Sequence, residues 1–195
     1  MLAQLHKQQR MPYNLHDYVV IIKDFLDLKT CKTIIKKTKN LDWHIHSYSS
    51  GYGDNHSYDN DLSILNTDIP EVQELNSKLW NVLKTYYEIY KFDWHASWDG
   101  YSYVRLNKYD VNTEMRLHCD HIKTLFDGTI KGNPTLTMLG ALNDNYSGGE
   151  LVMFDSEIIE LKAGNIMIFP STFLYPHQVL PVTKGVRYSY VSWSY

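Results

Sequence analysis

The sequence holds only two cysteines, Cys31 and Cys119. Two cannot build a disulfide framework or a four-cysteine zinc site, so a reducing, cytoplasmic setting is the expectation. Charge of one sign is also lacking: 19 basic side chains stand against 22 acidic ones, a formal charge of −3. That balance excludes a strongly basic nucleic-acid-binding domain and leaves room only for a local patch. No apolar run approaches the roughly 18 residues of a membrane span. The opening stretch, MLAQLHKQQRMPYNLHDY, lacks the basic-then-apolar layout of a secretory signal. Internal repeats, low-complexity tracts and linkers are missing too. What is there is 195 residues with 44% hydrophobic and 21% charged side chains, the composition of one globular domain over 1–195. A chain of this length can bury roughly 70% of the surface it exposes unfolded, enough for one sizeable core. Two counts are high: 16 tyrosines and nine histidines. Histidine is the commonest metal ligand among side chains, so the question is which of the nine, if any, are ligands.

Residues 1–16 are polar and read as a loose arm. The β-branched run Val19, Val20, Ile21, Ile22 predicts a strand over 18–25. Asp27 can cap a helix over 28–39, with Leu28, Cys31, Ile35 and Thr38 on one face. Residues 43–48 suggest another strand, and 49–66, rich in Ser, Gly, Asp and Asn, read as a long loop. Asp68 and Glu71 form a capping-box pattern, with Pro70 in the first turn. Val72, Leu75, Leu79, Val82, Leu83, Tyr86 and Tyr90 then recur at helical spacing, as a core-facing stripe does. Past residue 100 the period shortens. Alternating segments fall at 101–109, 115–121, 135–142, 150–154, 157–161, 165–169 and 186–194. Gly132-Asn133-Pro134, Gly148-Gly149, Gly164, Pro170 and Gly185 are among the turns that separate them. Short strands with such punctuation predict a β-sandwich or barrel of jelly-roll type. The expected architecture is α+β: two supporting helices against a β-rich half over 100–195.

His118-Cys119-Asp120 is the only His-x-Asp in the chain. With nine histidines and 15 aspartates, chance alone yields about 0.7 such triplets. On a strand, however, residues i and i+2 share a face, so His118 and Asp120 can converge on one ion. Imidazole and carboxylate suit Fe(II), and a second histidine would complete a facial triad with open positions. Only His121 and His177 lie further along. Strand alternation points His121 to the opposite face. His177 lies 57 residues beyond Asp120, which would bring in a distant strand. It opens the stretch H-x-V-x-P-V-x-x-G-x-R, and Arg187 ends it ten residues on. Alternation puts Arg187, Ser189, Val191 and Trp193 on one face. A buried arginine needs a partner. A carboxylate-bearing ligand, gripped by two parallel hydrogen bonds, would serve, and so would an internal Asp or Glu.

His118-x-Asp120, His177 and Arg187, in this order and spacing, resemble the iron(II)/2-oxoglutarate-dependent dioxygenases, with the closest look to their prolyl 4-hydroxylase-like branch. The resemblance covers about 101–194. Gly148-Gly149-Glu150-Leu151 and the stretch from Ala163 to Pro170 share it. It implies a double-stranded β-helix with iron held by His118, Asp120 and His177. It matches Arg187 to the basic residue that binds the distal carboxylate of 2-oxoglutarate. Tyr109 and Thr137 match further residues of the co-substrate pocket, and Trp193 matches an aromatic beside the iron. Tyr109 also shares a strand face with Arg105 and Asn107, an unusually polar face that suits a lined cavity. Three positions depart from the family pattern: Asn112 stands where Gly is frequent, and Met115 and Ala141 where Tyr is.

The implied activity is hydroxylation of a prolyl residue in a peptide or protein, coupled to decarboxylation of 2-oxoglutarate to succinate. Fe(II), 2-oxoglutarate and O₂ are the implied cofactors, with ascorbate as accessory reductant. One rival is the same chemistry on a free amino acid or small metabolite. Nucleic-acid demethylation is disfavoured by the acidic balance and by a final strand with no second arginine. A non-enzymatic jelly-roll module with a structural metal is the rival from another class. Cys119 is expected to point away from the metal, as a small buried hydrophobe. The loops at 49–66 and 122–134 are expected to act as lids.

Overall fold

The computed structural model describes residues 14–49, 55–91, 99–121 and 132–195. Most of the expected arm, and residues 122–131 of the second expected lid, lie outside them. Among the described residues two α-helices occur, α1 (Leu28–Thr38) and α2 (Pro70–Tyr90). The strands before α2 are β1 (Val20–Ile22), β2 (His44–Ile45), β3 (Tyr48–Ser49), β4 (Asn55–His56) and β5 (Ser63–Leu65). After it come β6 (Arg105–Tyr109), β7 (Met115–His118), β8 (Leu136–Ala141), β9 (Ser147–Gly148) and β10 (Leu151–Met153). The series closes with β11 (Glu157–Ile159), β12 (Ile166–Pro170), β13 (His177–Val179), β14 (Val182–Lys184) and β15 (Arg187–Ser194).

A seven-stranded antiparallel sheet runs in the order β1-β12-β8-β15-β6-β5-β2. A four-stranded sheet, β11-β10-β13-β7, carries two of the histidines. The strand period of two divides the large sheet's side chains between two cores. Leu106, Leu136, Met138, Ile166, Ile168, Tyr188 and Tyr190 pack in one hydrophobic cluster with the buried residues of both helices. The alternate residues Tyr109, Leu139, Ala141, Met167, Phe169, Val191 and Trp193 join Met115, Leu151, Met153 and Val179 of the small sheet. Burial on both faces explains why β8 and β15 read as continuous buried runs. Gly140 pairs with Tyr190, and a Cβ at Gly140 would fall 2.0 Å from that ring, so glycine is needed where the tyrosine crosses the strand.

Helix α1 begins as expected: Asp27 accepts from the Thr30 backbone N–H at 2.8 Å and from its hydroxyl at 2.6 Å. Its buried face is Cys31, Ile34 and Thr38, whereas Leu28 is 55% exposed. The expected face was therefore rotated: Ile34, not Leu28, enters the core. Helix α2 buries Val72, Leu75, Leu79, Val82, Leu83 and Tyr86. The expected capping box does not form. Ile69 occupies the cap position without a side-chain hydrogen bond, Pro70 needs no N–H partner there, and Glu71 accepts from Lys37 Nζ at 2.6 Å. The segment read as one long loop, 49–66, holds strands: β3 pairs with β4, and β5 joins the large sheet beside β6. Among the described residues no helix is long and apolar enough to cross a membrane.

Candidate metal centre

His118 ends β7 and His177 opens β13, and the antiparallel register sets them directly opposite each other. Residues paired in this way project to the same face, and the two imidazole centroids lie 4.3 Å apart. Asp120 follows just beyond the end of β7, so a bend rather than strand alternation turns it back onto the histidines. Its Oδ1 is 3.3 Å from His118 Nε2 and its Oδ2 is 3.8 Å from His177 Nε2. One donor atom from each residue lies within 4.8 Å of the others. Asp120 and His177 are buried; His118 keeps partial access.

The ring orientations are fixed by the main chain. His118 Nδ1 lies 2.7 Å from the Arg116 carbonyl, and His177 Nδ1 lies 3.1 Å from the Tyr175 carbonyl. A carbonyl only accepts, so each Nδ1 carries the hydrogen and each Nε2 presents a lone pair toward Asp120. Such an outer hydrogen bond orients histidines that bind metals. Burial alone would raise the Asp120 carboxyl; the His177 and His118 rings outweigh it and hold the group well below the ordinary carboxylate range. Burial pushes the His177 imidazole down to about 4, against the pull of Asp120. Two neutral nitrogens and one ionised oxygen are a donor set that fits Fe(II) and leaves positions open. His121 is exposed and stands outside this group, as does Cys119.

The inner face of the large sheet lies opposite. Arg187 pairs with Tyr109 across β15 and β6, and its guanidinium lies 4.8 Å from the Tyr109 ring. It is 2% exposed. Its Nη1 donates to Ser189 Oγ at 3.1 Å, while Nε is buried without a partner. Among the described residues no internal Arg–carboxylate pair satisfies it. Gly149, in the left-handed region at φ +67, lies against this side chain: a Cβ there would fall 3.2 Å from Arg187 Cδ. Burial raises the Tyr109 phenol, with Arg187 opposing.

Thr137 lies in the wall of the same pocket. Its hydroxyl donates to Asp120 Oδ2 at 2.7 Å and shares a 2.8 Å hydrogen bond with Ser171. It therefore supports a candidate metal ligand. Trp193 pairs with Thr137 across β15 and β8, in the same layer. Arg105, Asn107, Met115, Leu139, Val179 and Val191 complete the wall of this pocket. Ser171 and the two carbonyls carried no signal in the sequence, because their roles follow from register alone. The departure at Asn112 has a physical reason: it sits at φ 67, where asparagine is tolerated in place of glycine. At Met115, the Tyr48 hydroxyl comes from β3 to within 3.3 Å of the sulfur.

Residues 104–195 match the family model described as the 2OG-Fe(II) oxygenase superfamily. This C-terminal stretch is similar to that superfamily. A PKHD-type hydroxylase of Methylobacterium nodulans is 35% identical over 94 residues, 45% of this chain and 40% of the relative. One from Shewanella sp. strain MR-7 is 36% identical over 91 residues, with the same two coverages. The chain thus spans about 40% of the length of these curated relatives. Solved structures extend the likeness to the helices. A prolyl hydroxylase of Trichoplax adhaerens, solved with a hypoxia inducible factor peptide fragment, aligns with a TM-score of 0.71 at 18% identity, over 91% of this chain and 83% of that one. A Pseudomonas putida prolyl-4-hydroxylase gives 0.68 at 16%, over 90% and 91%. At such identities the likeness shows the fold, a double-stranded β-helix with helices on one side. The superfamily and the His-x-Asp…His group together imply Fe(II) and 2-oxoglutarate.

Proposed function

We propose that the protein is an Fe(II)- and 2-oxoglutarate-dependent hydroxylase acting on a prolyl residue of a peptide or protein. One observation carries this reading: a three-donor group, His118, Asp120 and His177, shares a pocket with Tyr109, and on the Tyr109 ring lies the buried Arg187 guanidinium, which has no carboxylate partner among the described residues. When bound, iron would supply the activation of O₂ that couples oxidation of 2-oxoglutarate to C–H hydroxylation. The chain's own residues supply position. His118 and His177 offer Nε2, Asp120 offers its carboxylate, and Thr137 keeps that carboxylate aimed. Arg187, stacked on Tyr109, takes the far carboxylate of 2-oxoglutarate, which fixes the co-substrate's orientation. Trp193, Leu139 and Val191 keep water from the reacting centre. The prolyl target is supported by the prolyl hydroxylases among structures of this fold. Two free cysteines support a reducing, cytoplasmic setting.

The test is direct. Fe(II) and 2-oxoglutarate are mixed with the protein under nitrogen, with ascorbate as reductant, and the weak visible charge-transfer band of the chelate is recorded. Air is then admitted and succinate is measured. A band followed by succinate is expected. No band and no succinate, with His118→Ala indistinguishable from wild type, would sink the reading. Prolyl peptides are then screened for a mass gain of one oxygen.

A further inference from the structure

The geometry points to Arg105 as a second carboxylate-binding group of the pocket, one that recognises an acidic group carried by the substrate beside the carbon to be oxidised. The inference rests on the oxygenase reading above. In that reading both carboxylates of 2-oxoglutarate are engaged, one at Arg187 and the other at the metal donors, and neither is left for Arg105.

Arg105 lies on the inward face of β6, in the pocket shared by His118, Asp120, His177 and Trp193. Its strand partner is Val191, four residues along β15 from Arg187. At strand rise that is about 13 Å between the two layers. The guanidinium lies 4.9 Å from the ring of Trp193, which is two residues further from Arg187 than Val191 is. Arg105 lines the pocket itself, whereas Arg187 lies behind Tyr109 of its wall.

The contacts of Arg105 leave its fork uncommitted. Nε donates to Asn107 Oδ1 at 3.2 Å, and among the described residues this is its only hydrogen bond. No carboxylate of the described residues forms an ion pair with it. Among the described residues neither terminal nitrogen has a hydrogen-bond partner, and they are the pair that grips a carboxylate end-on. Asp120 is the main negative charge acting on Arg105, but that carboxylate is engaged with two imidazoles and Thr137. A cation enclosed in this way is expensive to maintain unless something supplies the opposite charge. A prolyl ring brings no charge of its own. The substrate class that fits is a peptide bearing a carboxylate near the target, either an acidic side chain or a C-terminal carboxylate. His46, whose Nδ1 is buried without a hydrogen-bond partner, is close enough for the Arg105 charge to act on it and adds a second uncommitted polar group.

The test is calorimetric titration under nitrogen of the full chain loaded with Mn(II) and 2-oxoglutarate, so that binding is read without turnover. The probes are pentapeptide pools with a central proline and neutral flanks. One flank is fixed as Glu or as Gln, and each pool is made with a free and an amidated C-terminus. One acidic form should bind at least tenfold more tightly than its uncharged match. Whichever arm shows the gap, side chain or terminus, names the source of the carboxylate. Arg105→Gln should abolish the preference and Arg105→Lys should retain part of it, with thermal melts confirming that both fold. In a separate titration, 2-oxoglutarate affinity should fall at least tenfold in Arg187→Gln and less than twofold in Arg105→Gln. Equal affinity for charged and neutral pools overturns the inference, and so does failure of every pool to bind. A tenfold loss of 2-oxoglutarate affinity in Arg105→Gln also overturns it, by assigning Arg105 to the co-substrate. Failure of wild type to bind 2-oxoglutarate counts instead against the oxygenase reading.

Discussion

The two faces of the seven-stranded sheet are made by the same strands and could hardly differ more. Toward the helices, β6, β8, β12 and β15 present Leu106, Met138, Ile166, Ile168, Tyr188 and Tyr190. Toward the small sheet, β6, β8 and β15 present Arg105, Asn107, Tyr109, Thr137, Arg187, Ser189 and Trp193. One face is hydrocarbon and phenol packed to exclusion of water. The other holds Asn107, Thr137, Arg187 and Ser189 at comparable depth, with Arg105 partly buried beside them. A side-chain period of two lets one strand serve both ends. The outer face supplies most of the hydrophobic driving force. The inner face spends some of it on groups that are costly to bury.

Four substitutions would break or sharpen that contrast. The largest effect is expected from Asp120→Ala, which removes the only carboxylate of the donor set. Succinate formation should fall by about a thousandfold or more, roughly 4 kcal/mol of activation free energy, while the melting temperature stays near that of wild type. A large drop in melting temperature would make Asp120 structural. On the outer face, Ile168→Ala should lower stability by about 3 kcal/mol through the cavity it leaves and leave the 2-oxoglutarate KM unchanged; denaturant titration and succinate kinetics read the two. A raised KM would mean that the faces are not independent.

The third concerns pH. Burial, helped by Arg105 and His118, holds His46 down to about 4 from its usual 6.5. Above about 6.5 the ring is neutral folded or unfolded and adds no pH dependence. Between 6.5 and about 4 the unfolded chain takes up a proton that the folded chain refuses, so stability falls as pH falls. The loss should approach roughly 3 kcal/mol, and His46→Gln should remove that part of the slope in denaturant titrations at pH 7, 5.5 and 4.5. An unchanged slope would place His46 in contact with water. The smallest effect is Thr137→Val, which deletes the hydrogen bond to Asp120. Metal affinity, measured by competition with a chelator, should weaken about tenfold to a hundredfold. No change would mean that Asp120 is aimed by the two imidazoles alone.

Much of the outer face was legible in sequence. The stripe from Val72 to Tyr86 and the alternation along 186–194 are local patterns, and local patterns fold as they read. The inner face was legible only in part. His118 and Asp120 are two residues apart and announce themselves. His177 comes to them through the β7–β13 register, a pairing between strands of four and three residues that no local period reveals. The hydrogen bond from Thr137 to Asp120 was not legible, because tertiary packing brings the two together. The strands within 49–66 escaped notice because they are only two or three residues long, too short to show a period. The capping-box reading of Asp68 and Glu71 failed because Lys37, 34 residues away, engages the glutamate.

The carbonyls that orient the two histidines have a consequence for change over time. Each belongs to the residue two positions before the histidine, Arg116 on β7 for one and Tyr175, just ahead of β13, for the other. Every amino acid brings a carbonyl, so the part of these two residues that fixes the tautomer is the part substitution does not alter. A substitution at 116 or 175 thus leaves the orienting carbonyl in place, and the imidazoles keep their aim as long as the backbone keeps its path, a condition that weighs more at the buried Tyr175 than at the exposed Arg116. Reprogramming what enters the pocket need not mean rebuilding what would hold the metal.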